Sequence, residues 1–559
     1  MPGSLCMPTV VICILFTLAM GEAPRPGEAA SQQGQATMTS ANVLQAILRT
    51  LGASASEAFR SAADRELLDL QAQLQPVLDA LPSTTDGRFG PTAVRYALHR
   101  LFLQRRGWLI KGLDPQGQAW NGGSPSNAAL LGGLPEGVRG TIEAELSGPG
   151  LSLEGVATLA VLLEHQVHEK EAKRLRSICD MLGLPQSGAM SQWRAGHALA
   201  LYATSYVLGR DPVESNRTEL TAYLRSMDEI YPNWPNARMS LQVAIQRQVH
   251  EGSIDFGGAE RVVQEMTDEF FRWQEPACQA MKVALMKMED RGTGRVALAD
   301  FYNQALHEGK WQLSESEPYL RQLGALDESN PRNLRVIIPN YLYGASNCLA
   351  TSDHLSVCCV SECEGILSAL EQSLRAPQAP AADVAAQIAA LPSSTVPANR
   401  SISRVMLHRL NAIAAGHGGQ VPIHGRLFAQ WLHHAYPREC PYPHLSGQTR
   451  PLHTDDWMKI TGQDVSASPS AMAKHAGVRP STAPKIRGPL EAAAWSYEEE
   501  LFVPDSPDMP TGLIMVHGTV YMAALAVMAF GFVLAKMARL GRKVAQSTTK
   551  ATEPALYMV

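Results

Sequence analysis

The absences in this chain narrow it before anything present does. Its 559 residues contain no HExxH helix and no CxxC pair, so no familiar metalloprotease or thiol-redox signature is available to argue from. Basic charge is not in surplus. Lys and Arg number 48 against 53 Asp and Glu, a formal net charge of −5, which leaves no electrostatic footprint for nucleic acid. Period-two alternation of useful length is missing too, and that argues against a large sheet. Aromatics make up only 6% and charged residues 18% of the chain, while 45% is hydrophobic. Such a composition can bury several cores and predicts a mainly α, multi-helical protein.

One stretch lacks charge altogether. Gly512 to Ala535 (GLIMVHGTVYMAALAVMAFGFVLA) has no Asp, Glu, Lys or Arg, and 24 residues at ~1.5 Å each cross a ~30 Å hydrocarbon core. Lys536, Arg539, Arg542, Lys543 and Lys550 follow it, whereas Glu498, Glu499, Glu500, Asp505 and Asp508 precede it. The asymmetry predicts a cytoplasmic C-terminus. At the other end, Pro8 to Met20 is a short apolar run, with Ala19 and Gly21 placed as the small residues of a cleavage site. The expectation is a type I single-pass protein of the secretory route or cell surface, its N-terminal ectodomain lumenal or extracellular.

The chain divides, on composition, into a signal peptide (1–21), a disordered linker (22–40), an N-terminal helical module (41–135) and a helical domain (136–260). A loop–helix pair (261–350), a Cys-rich helical segment (351–376) and a His-rich helical module (377–464) come next. A Ser/Ala/Pro-rich flexible stalk (465–511), the span (512–535) and a basic tail (536–559) complete it. Helices are expected over Ser56–Ala80, Pro91–Gly112, Leu153–Leu182, Ala189–Gly209, Thr218–Ile230, Arg238–His250 and Ala259–Glu289. One internal echo is visible: ALPST before VRYALHRL at 80–101, and ALPSST before RVMLHRL at 390–410. It suggests two similar modules, with His99 and His408 beside the core.

Beyond Cys6 and Cys13 the chain has seven cysteines: 179, 278, 348, 358, 359, 363 and 440. In an oxidising lumen these predict one or two disulfides with at least one thiol left over; a zinc site with His354 is the sharper alternative, although the spacing fits no usual ligand set. Sequons place glycosylation at Asn216 and Asn399.

Met286 to Tyr302 (MKMEDRGTGRVALADFY) resembles an EF-hand, with Gly294 at the sixth loop position, Val296 at the eighth and Asp300 at the twelfth. Forty residues on, Val336 recurs in the same phase, so Val296 and Val336 should meet in a small antiparallel contact. Possible calcium oxygens come from Glu289, Thr293 and Asp300, but Arg291 places a cation among them. The resemblance therefore implies an EF-hand-like helical packing unit, with a calcium-responsive sensor as an alternative.

Seven of the 16 histidines lie between His408 and His453. His434, Cys440 and His444 have side chains that suit zinc or copper, which gives a lumenal metalloenzyme as the other alternative. Pro437, Pro441 and Pro443 argue instead for a rigid loop on which Tyr436 and Tyr442 pack. His165 and His168, with Glu164 and Glu169, share a helix face that reads as solvated surface or a metal pair. The terminal Tyr557-Met558-Val559 could be captured by a carboxylate-binding domain.

The stretches HGRLFAQWLHHAYPRECPYPH, LSLEGVATLAVLLEHQVHEKEAKRL and PNYLYGASNCLATSDHLSVCC resemble a group of single-pass membrane proteins of unicellular algae and protists. That resemblance implies the topology and brings no activity or cofactor with it. The leading expectation is a non-enzymatic, receptor-like or interaction protein with the membrane and other proteins as its partners, and no nucleic acid.

Overall fold

The computed structural model describes residues 57–113, 131–134, 136–307, 312–476 and 495–503. The expected signal peptide, linker, span, basic tail and C-terminal Tyr-Met-Val lie outside these residues. Among the described residues no helix is long and apolar enough to cross a membrane.

The architecture is mainly helical. Helix α1 (Glu57–Asp79) is followed by α2 (Pro91–Arg106), which starts on Pro91, where a missing N–H costs nothing, and stops at Gly107 in the left-handed conformation. The expected continuation to Gly112 is instead a strand, β1 (Trp108–Ile110). Then come α3 (Glu136–Ser147), α4 (Leu153–Leu182), β2 (Ala189–Ser191), α5 (Gln192–Val207), α6 (Arg217–Ile230) and α7 (Trp234–Gln248). Next are β3 (Ser253–Asp255), α8 (Phe256–Lys287), β4 (Arg295–Ala297), α9 (Leu298–Leu306), α10 (Glu317–Gln322), β5 (Leu326–Asp327), β6 (Arg335–Ile337) and α11 (Ile338–Leu342). Strands β7 (Leu349–Ala350) and β8 (Leu355–Val357) lead to α12 (Glu362–Leu374), β9 (Gln378–Pro380), α13 (Ala381–Ala390), α14 (Arg404–Gly416), β10 (Gln420–Pro422) and α15 (Arg426–Ala435). Short α16 (Thr454–Thr461) and α17 (Pro469–Ala476) follow.

This order is a repeat. Four times among the described residues, two helix–loop–helix units face each other through a short antiparallel contact between their loops. Phe89 opposes Leu151 between α1–α2 and α3–α4, and Met190 opposes Ile254 between α4–α5 and α7–α8. Val296 opposes Val336 between α8–α9 and α10–α11; Ala379 opposes Val421 between α12–α13 and α14–α15. All eight residues are buried. Each contact ties two apolar side chains and two backbones together at the point where four helices converge. Helices α4 and α8, of 30 and 32 residues, each leave one pair and enter the next, so consecutive pairs share a rigid element. Both begin on a side-chain cap: Ser152 Oγ accepts from Gly155 N at 3.3 Å and Asp255 Oδ1 accepts from Gly258 N at 2.6 Å.

The largest core runs from Leu67 to Phe271 and takes in Leu355, Val357 and Val503. It spans the sequence division at 135, and α8 crosses the one at 260. A second core belongs to the fourth pair and a third to the Val296–Val336 pair.

The two echo segments occupy different places: the first passes through a paired loop into α2, the second links α13 to α14. His99 is half-buried, but His408 is exposed rather than beside the core. The flexible-stalk expectation over 465–511 also fails where the chain is described. Ser316 N donates to Val465 O and Ala467 N to Ser314 O, both at 2.7 Å. Met472 of α17 is buried in the third core, against which Val465 and Ala467 also pack. Backbone pairing plus one apolar anchor fixes a stretch whose Ser/Ala/Pro composition reads as unfolded. Residues 495–503 are extended along the start of α15.

Candidate functional site

The side chains singled out in the EF-hand-like segment and in the His-rich module meet. The loop between α15 and α16 lies over the loop between α8 and β4. Gly294, at φ +70°, faces Pro437 so closely that a Cβ there would fall 1.9 Å from the Pro437 carbonyl oxygen; only glycine permits both the turn and the approach.

Glu289, the first loop position, is sealed beneath this lid. Its Oε1 accepts the Gly294 N–H, closing the loop from first to sixth position. Its Oε2 lies 2.7 Å from Arg438 Nη2 and accepts from Arg438 Nε, also at 2.7 Å. A guanidinium thus supplies the positive charge at the carboxylate where a calcium loop would direct an ion. Thr293 is buried, and its carbonyl accepts from Arg295 Nη1 at 2.9 Å. Asp300 is exposed in the first turn of α9.

Next to it is a buried charge cluster that the sequence reading missed. Asp327 accepts from Arg295 Nε at 2.7 Å and from Arg335 Nη2 at 2.8 Å. Burial alone would raise the Asp327 carboxyl; the two guanidiniums overcome it and hold it below the ordinary carboxylate value. Both arginines directly precede the paired valines, the only signal that the sequence offers for them. His433 closes the cluster: Arg295 Nη1 is 3.3 Å from its Nε2, and its Nδ1 is 2.7 Å from the Cys440 carbonyl. Burial, aided by Arg295 and His434, pushes the His433 imidazole well below its ordinary pKa and keeps it neutral.

The proposed zinc or copper ligands are dispersed into other roles. Cys440 is bonded to Cys363 and offers no thiolate. His434 stacks on Trp495 at 5.8 Å, and His444 Nε2 lies 2.8 Å from the Gly324 carbonyl. Tyr436 donates to the Leu391 carbonyl at 2.7 Å, and Asn340 clamps Tyr442 through both its amide groups. The rigid-loop reading describes this segment. Among the described residues no three His, Cys, Asp or Glu side chains converge as a metal site.

Within the lid, Glu439 is fully buried and accepts from Thr395 Oγ1 at 2.6 Å and Ser393 Oγ at 3.1 Å. Lys282 Nζ from α8 sits 3.5 Å from it and 2.5 Å from Glu362. The three modules around the lid are therefore joined by charge as well as by packing.

Cysteine pairing exceeds the one or two bridges expected. Cys278–Cys359, Cys348–Cys358 and Cys363–Cys440 are disulfides, and among the described residues buried Cys179 is the remaining thiol. With the cluster oxidised, the zinc set with His354 is removed. Adjacent Cys358 and Cys359 diverge to different partners, as vicinal strain requires.

The histidine face on α4 is not solvated surface. His168 Nε2 lies 2.7 Å from Asp268, and buried Glu164 faces Arg105 and Arg106 at 3.4 and 3.7 Å. Asn216 and Asn399 are both exposed. Asn216 Oδ1 accepts the Glu219 N–H at 2.8 Å as a helix cap, leaving the amide nitrogen to which a glycan would attach.

A serine–histidine contact also exists, with Ser356 Oγ 2.9 Å from His453 Nε2. Both groups are largely buried, and Ser356 sits in the strand paired on both sides by β1 and β7. No family model matches this chain, and no curated protein or solved structure matches it.

Proposed function

We propose that this protein is a non-enzymatic, single-pass membrane protein whose helical ectodomain binds other proteins, and that its paired loops are EF-hand-like units retained for packing rather than for calcium. One observation carries the reading: Glu289, at the loop position where an ion would be coordinated, is paired with Arg438 under a proline-rich lid. A site already neutralised by a fixed guanidinium gains nothing from a divalent cation, because binding would first have to expel that guanidinium.

The disulfides agree with an oxidising lumen, and the span proposed at 512–535 supplies the anchor. A protein-binding role draws support from an exposed apolar groove between α7 and α8, lined by Met239, Val243 and Trp273, with Arg247 and Arg272 beside Glu265 and Glu269. Exposed apolar surface rimmed by charge is typical of protein contact sites.

The test is to purify the intact protein from its membrane in calcium and in chelator and compare what accompanies it, alongside calorimetric titration with Ca²⁺ and Zn²⁺. The same partners in both buffers and no saturable heat are expected. Partners that appear only with calcium would put the sensor reading first, and one tightly held zinc or copper per chain would put the metalloenzyme reading first.

A further inference from the structure

Residues 495–503 (WSYEEELFV) run as an extended strap across the entrance of α15, and the surface beneath them has the construction of a peptide-binding groove. Gln430, fully buried, reads the strap backbone in both directions: its Nε2 donates to the Ser496 carbonyl at 3.1 Å, and its Oε1 accepts the Ser496 N–H at 3.2 Å. Arg426, 1% exposed, donates to the Glu498 carbonyl from Nε at 2.8 Å and Nη2 at 2.6 Å, and also contacts Ser496 Oγ. Its backbone N–H donates to Glu500 O at 2.8 Å, and Phe502 N donates to His424 O at 3.0 Å.

Side chains add selectivity. Glu499 Oε1 accepts the Leu427 N–H at 2.9 Å in the first turn of α15, where exposed backbone donors and the helix dipole favour an anion. Gly425 makes room for that carboxylate, since a Cβ there would meet its oxygens at 3.1 and 3.2 Å. Trp495 lies between the His434 ring and the Arg409 guanidinium, the latter 4.6 Å from the indole centroid. Glu500 accepts from Ser446 N and Oγ at 3.0 and 3.2 Å, while Tyr497 is 83% exposed and goes unread.

With the strap in place Gln430 and Arg426 are buried, and its removal would break their bonds to its backbone. The groove therefore fits an extended peptide. The Leu427 N–H and the Ser446 donors select carboxylates at the Glu499 and Glu500 positions, and the Trp495 seat selects an aromatic at the leading end.

We propose that this groove is a recognition site for extended acidic segments led by an aromatic residue, that 495–503 is its resident ligand in cis, and that a partner protein carrying such a segment displaces it. Recognition by main-chain hydrogen bonds plus alternate side-chain pockets is the physics of strand-type peptide capture. A cis ligand holds the site at high effective concentration, so only a partner that matches the same chemistry competes.

The test uses the full chain and a fluorescent WSYEEELFV peptide. A strap variant carrying Trp495→Ala and Glu499→Gln is expected to bind the peptide about tenfold more tightly than wild type, about 1.4 kcal/mol. Adding Gln430→Ala should remove that gain. In wild type, excess peptide should speed hydrogen exchange of the 495–503 amides, a measurement that decides the matter even if the strap variant does not fold. A folded strap variant that binds no better than wild type, binding indifferent to Gln430→Ala, or strap amides whose protection ignores excess peptide would each overturn the proposal.

Discussion

Arg438 and Glu289, 149 residues apart in sequence, meet in a paired contact of 2.7 Å, with the Glu289 side chain 2% and that of Arg438 26% exposed. Removing the arginine leaves a buried carboxylate with only the Gly294 N–H as partner. Breaking a buried pair from one side costs about 3–5 kcal/mol, and partial exposure of Arg438 reduces this to about 2 kcal/mol. Arg438→Ala should lower the urea midpoint accordingly, and adding Glu289→Gln should restore much of the loss. Additive losses in the double-mutant cycle would mean that the pair is uncoupled.

Calcium should leave the wild type unmoved. A site occupied thousandfold above its dissociation constant would add about 4 kcal/mol and raise the melting temperature visibly. Titrating Ca²⁺ to millimolar during thermal melts is expected to produce no saturating shift; a shift complete at micromolar calcium would refute the arginine-filled reading of the Glu289 loop.

Val296 and Val336 are both fully buried and directly opposed. Val296→Asp places an unpaired charge at the centre of the third core and should destabilise by a few kcal/mol, whereas Val296→Ile, similar in shape, should cost under about 1.5 kcal/mol. Equal midpoints for the two variants would contradict the packing.

The register of that pair was legible because a glycine two residues before an apolar residue, followed by a helix, is a spacing with a mechanical cause. The same spacing, Gly188 before Met190, Gly252 before Ile254 and Gly419 before Val421, marks other paired loops, which carry at most one carboxylate, Glu251, ahead of the glycine and so lack the ligand pattern of an EF-hand. Arginine 438 over Glu289 was illegible for a different reason: nothing local to either residue specifies a contact across 149 positions. The histidines misled because buried imidazoles, such as His433 against Arg295 and the Cys440 carbonyl, have the same composition as a metal site. The strap at 495–503 was hidden by its acidic run, whose backbone is bonded by α15 and whose Glu499 and Glu500 carboxylates are bonded by Leu427 N and Ser446.

The long-loop and short-loop disulfides should differ in weight. Cys363–Cys440 closes 77 residues and Cys348–Cys358 closes 10, so chain entropy assigns them about 4 and about 3 kcal/mol. Replacing both cysteines of each pair by serine should destabilise more for 363/440, which also fastens the lid loop to α12. A larger loss from the 348/358 pair would place the main constraint in the short loop instead.

Acid should weaken the fold through its buried imidazoles. Burial lowers the pKa of His433, His444 and His453, so below about pH 6.5 the unfolded chain takes up protons that the folded chain refuses. Stability should then fall as pH drops from 6.5 to 5. His433→Gln should flatten that fall; an unchanged slope would show that His433 is protonated in the native state.

Alkali acts through a different residue. Burial and the neighbouring Glu66 raise the Glu164 carboxyl to about 8, against the opposing pull of Arg106 and Arg105. A folded pKa above the unfolded value of 4.5 means that the native state holds a proton that the unfolded chain has released. Stability from this group is therefore full below about pH 4.5 and declines as pH rises toward 8. Above about pH 7.5 the histidines with lowered pKa are mostly neutral in both states and add little to the slope. Glu164→Gln, which keeps the shape and removes the titration, should flatten the decline and stabilise the protein at pH 8 relative to wild type, as read from urea midpoints at half-unit pH steps. If the variant is instead less stable than wild type at pH 8, the arginines hold Glu164 ionised and the pair with Arg105 and Arg106 is a working salt bridge.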